Sequence, residues 1–123
     1  MKKAALLLAV VLAAFCFCAP AMAEAPFHIG IVTGTVSQSE DDLRGAEFMI
    51  QKYGDVANGG MIQHLTYPDN FMSEMETTIS QIAGLADDPK MKVIVVNQGI
   101  PGTSEAFRRV KEKRDDILCF AGE

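Results

Sequence analysis

Three short stretches gather the side chains best suited to holding a small polar molecule. They are Thr33-Gly34-Thr35 with Ser37 and Gln38, Tyr67 with Asp69 and Asn70, and Asn97-Gln98-Gly99. Amides carry a donor and an acceptor together, hydroxyls turn to serve as either, and glycine lets backbone N–H groups come close. Tyr67 or Phe71 supplies a ring on which a planar group could stack. Gly, Asn and Ser also gather in such loops for turn and capping reasons alone. Two such loops together favour a site over that plainer explanation.

Other combinations point less clearly to chemistry. No G-x-G-x-x-G follows the first apolar run and no G-x-x-x-x-G-K-[ST] occurs, so the phosphate cradles of dinucleotide and P-loop sites are missing. Asp41-Asp42 could be a carboxylate pair, but in a first helical turn they read as complements to the helix dipole. His28 and His64 have no second ligand or nucleophile at useful spacing and read as structural. Cys119 sits in an apolar run and reads as a small buried hydrophobe. The bases Arg108, Arg109, Lys111, Lys113 and Arg114, interleaved with acids, read as a solvated helix face. No catalytic set, metal set or cofactor is expected.

The elements that must position these loops follow a repeating pattern. Phe27–Val32 is a short apolar run and a first strand, and a helix starts near Ser39, where Ser39-x-x-Asp42 resembles a capping box. Leu43, Ala46, Ile50 and Tyr53 give that helix its inward stripe, and Gly54 with Asn58-Gly59-Gly60 ends it. Met61–Tyr67 is a second strand closed by Pro68-Asp69-Asn70. Asn70 or Ser73 would cap the helix that follows, whose inward residues are Met75, Ile79, Ile82 and Ala86. Lys92–Asn97, with Val93-Ile94-Val95-Val96, is apolar on both faces and reads as a central strand covered by helices on both sides. Thr103 or Ser104 begins a third helix, with Phe107 and Val110 inward, and Ile117–Phe120 is a fourth strand.

This β-α-β-α-β-α-β order predicts an α/β fold with a parallel sheet, helices on both faces and strand order 2-1-3-4. The connections from strands one and three then leave in opposite directions, so a crevice opens outside their carboxyl ends. The same order leaves apolar sheet over strands three and four without helices on one face. The expectation is therefore that residues 24–123 are the front portion of a longer protein, with a small self-contained domain as the alternative.

The chain has 123 residues, a formal charge of -5 and 49% hydrophobic residues, which suits one domain. Lys2-Lys3, the apolar Ala4–Ala14 and Ala21-Met22-Ala23 have the plan of a secretory signal peptide, with cleavage after Ala23. The alternatives are an uncleaved anchor over Ala4–Ala23 and lipid attachment at Cys16 or Cys18, each of which follows a Phe. Cleavage removes two of 11 basic residues and none of 16 acidic ones, leaving nine against 16 and a charge of −7. An acidic exported domain, periplasmic or otherwise outside the cytoplasm, argues against nucleic acid and anionic membrane as partners. Only Cys119 survives cleavage, so no disulfide can form within one chain.

FHIGIVTGTVSQSEDDLRGAEFMIQKYG, a second strand ending in TYPDN, and KVIVVNQGIPGTSEAF together resemble the first lobe of type I periplasmic binding proteins. The likeness is to the basic-membrane-protein-like, nucleoside-type solute-binding proteins, and nearer in wording to an uncharacterised family of exported bacterial proteins. The resemblance implies two α/β lobes joined by a hinge, a small-molecule ligand between them, and a membrane permease or sensor as partner. It implies ligand contacts from Thr35, Ser37 and Gln38, from Tyr67 and Asn70, and from Asn97 and Gln98. The chain holds part of one lobe. The expected function is an exported solute-binding protein for uptake or sensing. An exported enzyme with catalytic residues beyond residue 123 is the alternative, and a receiver-type regulator fits less well because the first strand ends in Val32-Thr33 and the third in Asn97.

Overall fold

A computed structural model describes residues 23–123. The leader read in residues 1–23 lies outside the described residues except for Ala23. The order is β1 (His28–Thr33), α1 (Val36–Tyr53), a 3-10 turn (Val56–Asn58), β2 (Ile62–Thr66) and α2 (Met75–Gly84). A second 3-10 turn (Leu85–Asp87), β3 (Met91–Val96), α3 (Thr103–Lys113) and β4 (Leu118–Ala121) complete it. All pairings are parallel, in the order β2-β1-β3-β4. The predicted fold class and strand order hold.

Strand register divides the side chains between two faces. Gly30 and Val32 pair with Ile94 and Val96, and Cys119 and Ala121 lie beside these on β4. This face, with Tyr67 and Ile117, packs against Ile79 and Ile82 of α2, Leu85 and Ala86, and Ala106 and Val110 of α3 to form the main core. A Cβ at Gly30 would stand 2.8 Å from Leu85 Cδ1, so a larger residue there would push that side chain aside. On the other face Ile29 and Ile31 pair with Val93 and Val95, which pair with Leu118 and Phe120. α1 packs over β1 and β2 on that side, its own Ala46 and Ile62 of β2 buried between them.

β3 is therefore central but not covered equally. Val93 and Val95 are half-buried, and Leu118 and Phe120 are 58% and 54% exposed. The reading of β3 as helix-covered on both sides is corrected on this face, and the bare apolar sheet expected there is present. An all-apolar strand reports that both faces want burial; it does not say that this segment supplies the cover.

Local differences have local causes. α1 begins at Val36, but Ser39 is extended (φ −158°, ψ 85°), separating one turn from the helix proper. The predicted start at Ser39 marks that break, and Ser39 Oγ donates to Asp42 Oδ2 at 2.7 Å. Neither Asn70 nor Ser73 caps α2 through its side chain; Glu74 is the cap residue. Instead the Asn70 carbonyl accepts from Ser73 N, Ser73 Oγ and Glu74 N, closing a turn that delays the helix to Met75. Met75 is 39% exposed, so Thr78 and Ala83 join Ile79 and Ile82 on the buried face in its place. Gly54 (φ 80°) ends α1 against Gly60, where a Cβ would lie 2.1 Å from the Gly54 carbonyl carbon.

The basic helix face is largely solvated, although Lys111 and Lys113 also reach the carbonyls of Ile117 and Ala83. Arg108 and Arg109 pair with Glu105, holding its carboxyl at about 2. Arg114, however, turns inward to donate to the carbonyls of Asp88 (2.6 Å) and Met91 (3.0 Å), fastening the loop that enters β3. At the same end His28 Nδ1 meets Asp88 Oδ2 at 2.5 Å. That end of the sheet is clamped by structural contacts.

Burial on the two faces gives a testable contrast. Ile94→Ala, at a fully buried position, should cost about 2–5 kcal/mol in urea unfolding. Leu118→Ala should change stability by no more than about 0.5 kcal/mol. Equal losses would mean that the outer side of β4 is covered.

Candidate functional site

The carboxyl ends of β1, β2 and β3 lie on one edge, held in line by the backbone. Tyr67 N donates to Thr33 O at 3.1 Å and Asn97 N to Val32 O at 2.9 Å. The three exit loops therefore leave along one edge, the candidate notch. From the first, Thr35 Oγ1 and Ser37 Oγ both donate to Asp69 Oδ1, the latter at 2.9 Å, and Gln38 Nε2 donates to Asp69 O at 2.5 Å. From the third, Asn97 Nδ2 donates to Asp42 Oδ1 at 2.5 Å, across to the first turn after the Ser39 break. Asp69 ties the first loop to the second, and Asp42 ties α1 to the third.

The expected contact residues take different places. Thr35, Ser37 and Gln38 converge on Asp69, and Asn97 joins the same edge through Asp42. Tyr67 is 1% exposed, its ring edge-on to Phe71 at 5.5 Å in the core, so its face is closed to stacking. Its hydroxyl reaches Gly34, where a Cβ would stand 2.9 Å from it. Asn70 is exposed and serves the turn through its carbonyl, and Gln98 is exposed outside the network. Gly99 N donates to Gly122 O at 2.7 Å, securing the third loop to the end of β4.

Thr33 points away from the notch. Its Oγ1 donates to Gly34 O at 2.9 Å and lies 2.8 Å from His64 Nε2, within hydrogen-bond reach. Burial lowers the His64 pKa below the ordinary imidazole value, which keeps the ring neutral in this contact.

Beside the notch, along the bare sheet face, runs a groove of about 520 Å³. Ile29, Ile31, Val93 and Val95 form its floor, Met49 of α1 its wall, and Asp42 with Asn97 its polar end.

A family described as "Protein of unknown function (DUF3798)" matches residues 27–123. The chain belongs to this family. A Treponema pallidum (strain Nichols) relative, described as an uncharacterized protein, is 43% identical over 99 residues. That match takes in 79% of this chain and 45% of the relative. A second treponemal protein of the same description is 56% identical over 39 residues, 32% of this chain and 18% of its own length. Among solved structures, a "Putative transcriptional regulator" from Clostridium difficile 630 is similar with a TM-score of 0.70 and 29% identity. The likeness covers 83% of this chain and 31% of the clostridial one. The DUF3798 chain thus spans less than half the length of the curated relatives it matches.

The hub of the DUF3798 notch, Asp69, was placed on this edge by sequence but not among the contact residues. Its signal was the acid directly after Pro68 in TYPDN, opposite a loop rich in hydroxyls. The donors Thr35 and then Ser37 hold its carboxyl below the usual carboxylate range. The charged form is the one stabilised, so its contribution is present above the ordinary carboxylate pKa. It is lost as pH falls through the lowered value.

Thr35→Ala should therefore raise the Asp69 pKa toward the ordinary value, with Ser37→Ala giving the smaller rise, read by NMR titration of the carboxyl carbon. An unchanged value in both would remove Asp69 as the hub. Asp42→Ala should speed amide exchange over Val36–Asp42 without altering exchange in α3.

Proposed function

We propose that this DUF3798 chain forms the ligand-facing edge of an amino-terminal lobe in an exported solute-binding protein. That protein would belong to the type I periplasmic binding kind, and its small-molecule ligand would be held for uptake or sensing. The observation that carries the reading is the departure of three strand-exit loops along one edge, at the point where the sheet order reverses. Thr35, Ser37 and Gln38 gather on Asp69 there, and Asn97 stands along the same edge on Asp42, which supports the reading. Ligands of open parallel sheets bind outside such a point. The leader-like start of the chain supports export. The likeness to a clostridial protein described as a regulator accords with the sensing branch.

Such a lobe acts by hydrogen-bond exchange. Hydroxyls that donate to Asp69 can turn to donate to, or accept from, a ligand, and Asp69 itself can take a ligand O–H or N–H. The amide of Asn97, held by Asp42, presents its carbonyl oxygen as an acceptor.

The test is a thermal-shift panel of nucleosides, sugars, amino acids and small organic solutes on the full-length protein. A true ligand raises Tm saturably, as RT ln(1 + [L]/Kd) requires. Asp69→Ala should weaken binding on the order of tenfold, with the unliganded Tm little changed. No shift across the panel would end the proposal. Asp69-dependent turnover of a hit would favour the exported-enzyme alternative.

A further inference from the structure

The hydrogen bonds of the notch use its groups unequally. Its donors are engaged, Thr35, Ser37 and the Gln38 amide on Asp69 and the Asn97 amide on Asp42. Its acceptors are left to solvent. Asp69 receives its side-chain bonds on Oδ1, so Oδ2 is open among the described residues, and Asn97 keeps its carbonyl oxygen.

A third open group comes from beneath. Tyr67 is all but buried, yet no hydrogen bond among the described residues reaches its hydroxyl. No buried side-chain polar atom is left unpaired among those residues, so the hydroxyl tip is the part of Tyr67 that reaches solvent. The side chain crosses from the end of β2 to the end of β1. A Cβ at Gly34 would stand 2.9 Å from the hydroxyl and 2.9 Å from Gln38 Cβ. The glycine therefore leaves the phenol open beside Gln38. Burial, and then the charge of Asp42, raise the pKa of Tyr67, so it stays protonated.

Charge is divided between the two ends of the sheet. Residues 33–42, 67–76 and 97–105 contain no Lys, Arg or His. The neighbouring bases are engaged, Arg44 with Glu40 and Glu47 and Arg109 with Glu76 and Glu105. Lys90, Lys92 and Arg114 stand at the opposite end, on Glu24 and Asp116. Asp42 and Asp69 have no ion-pair partner among the described residues.

We propose that the notch selects an amine-bearing cation, its ammonium held by Asp69 Oδ2 and the Tyr67 hydroxyl, with the Asn97 carbonyl further along the same edge. This rests on the ligand-binding reading above and adds the charge of the ligand to it. An ammonium has donors and no acceptor, which suits a site whose own donors are taken. It also supplies the positive charge that this edge lacks. A phosphate or carboxylate would instead face the carboxylates of Asp42 and Asp69 with no base to offset them. The acidic edge also steers cations toward the notch before contact.

The test arranges solutes in matched sets that share a skeleton and differ in charge, run on the full-length protein beside the wider panel. Glucosamine, glucose and glucuronate form one set, and 1,5-diaminopentane, 1,5-pentanediol and glutarate another. The amine of a responding set should bind about tenfold or more tighter than its neutral partner, and added salt should shrink that preference. Asp69→Asn should bring the amine close to the neutral partner. Tyr67→Phe should leave the unliganded Tm within about 1–2 °C and weaken amine binding roughly tenfold. A saturable shift that is largest for an anion or a neutral solute, in these sets or elsewhere in the panel, would overturn this proposal and leave the binding lobe standing. Amine binding unchanged by Tyr67→Phe would also overturn it. Silence of every solute would end the binding lobe itself, and the cation reading with it.

Discussion

The side-by-side pairing of β1 and β3 is the constraint from which the rest of the molecule takes its geometry. Both are runs rich in Ile and Val, Ile29, Ile31 and Val32 in β1 and Val93 to Val96 in β3, as suits parallel strands buried in the middle of a sheet. Once they pair, their connections leave in opposite directions, β1 toward β2 and β3 toward β4. Right-handed crossovers then decide which layer each helix joins. The notch and the bare face both follow from this one adjacency. Gly30 secures it from the core side by letting Leu85 press against the β1 backbone.

The two ends of the sheet are built for different ends. At the amino end of the strands, His28–Asp88 ties β1 to the loop that enters β3, and Arg114 ties the α3–β4 turn to the same loop. At the carboxyl end the links are hydroxyl to carboxylate and amide to carboxylate, all exposed and all through side chains that can exchange partners. Exposed hydrogen bonds of this kind contribute little net stability because water competes for every group. Their value is in presenting several donors and acceptors at one place without leaving any of them unsatisfied.

Most of the architecture was legible because the signals were redundant. Each strand had an apolar run, each helix a periodic stripe, and every junction but the last (Arg114-Asp115-Asp116) a Gly, Pro or Asn, so errors at one boundary did not spread. The details that were not legible depended on contacts between distant residues. Nothing local in TYPDN says that Asp69 will receive Thr35 and Ser37, since that requires knowing that β1 and β2 end in line. Tyr67 has the chemistry of a binding residue, but its place at the end of a strand on the core-facing side buried its ring. Asn70 and Ser73 have capping side chains, and the turn they form used the Asn70 carbonyl instead. Arg114 looked like one more solvated base until the fold brought the Asp88–Met91 loop beneath it.

Asp42 connects the two surfaces that this geometry creates. Its carboxylate accepts from Ser39 in its own helix and from Asn97 at the end of β3, and it also forms the polar end of the apolar groove. α1 is the one helix on its layer among the described residues, and it rests on β1 and β2 without a neighbour on the β3 side. The Asp42 side chain thus stands both at the edge of the notch and at the end of the groove. That position also gives a physical reason for a carboxylate at position 42 beyond its favourable interaction with the start of the helix.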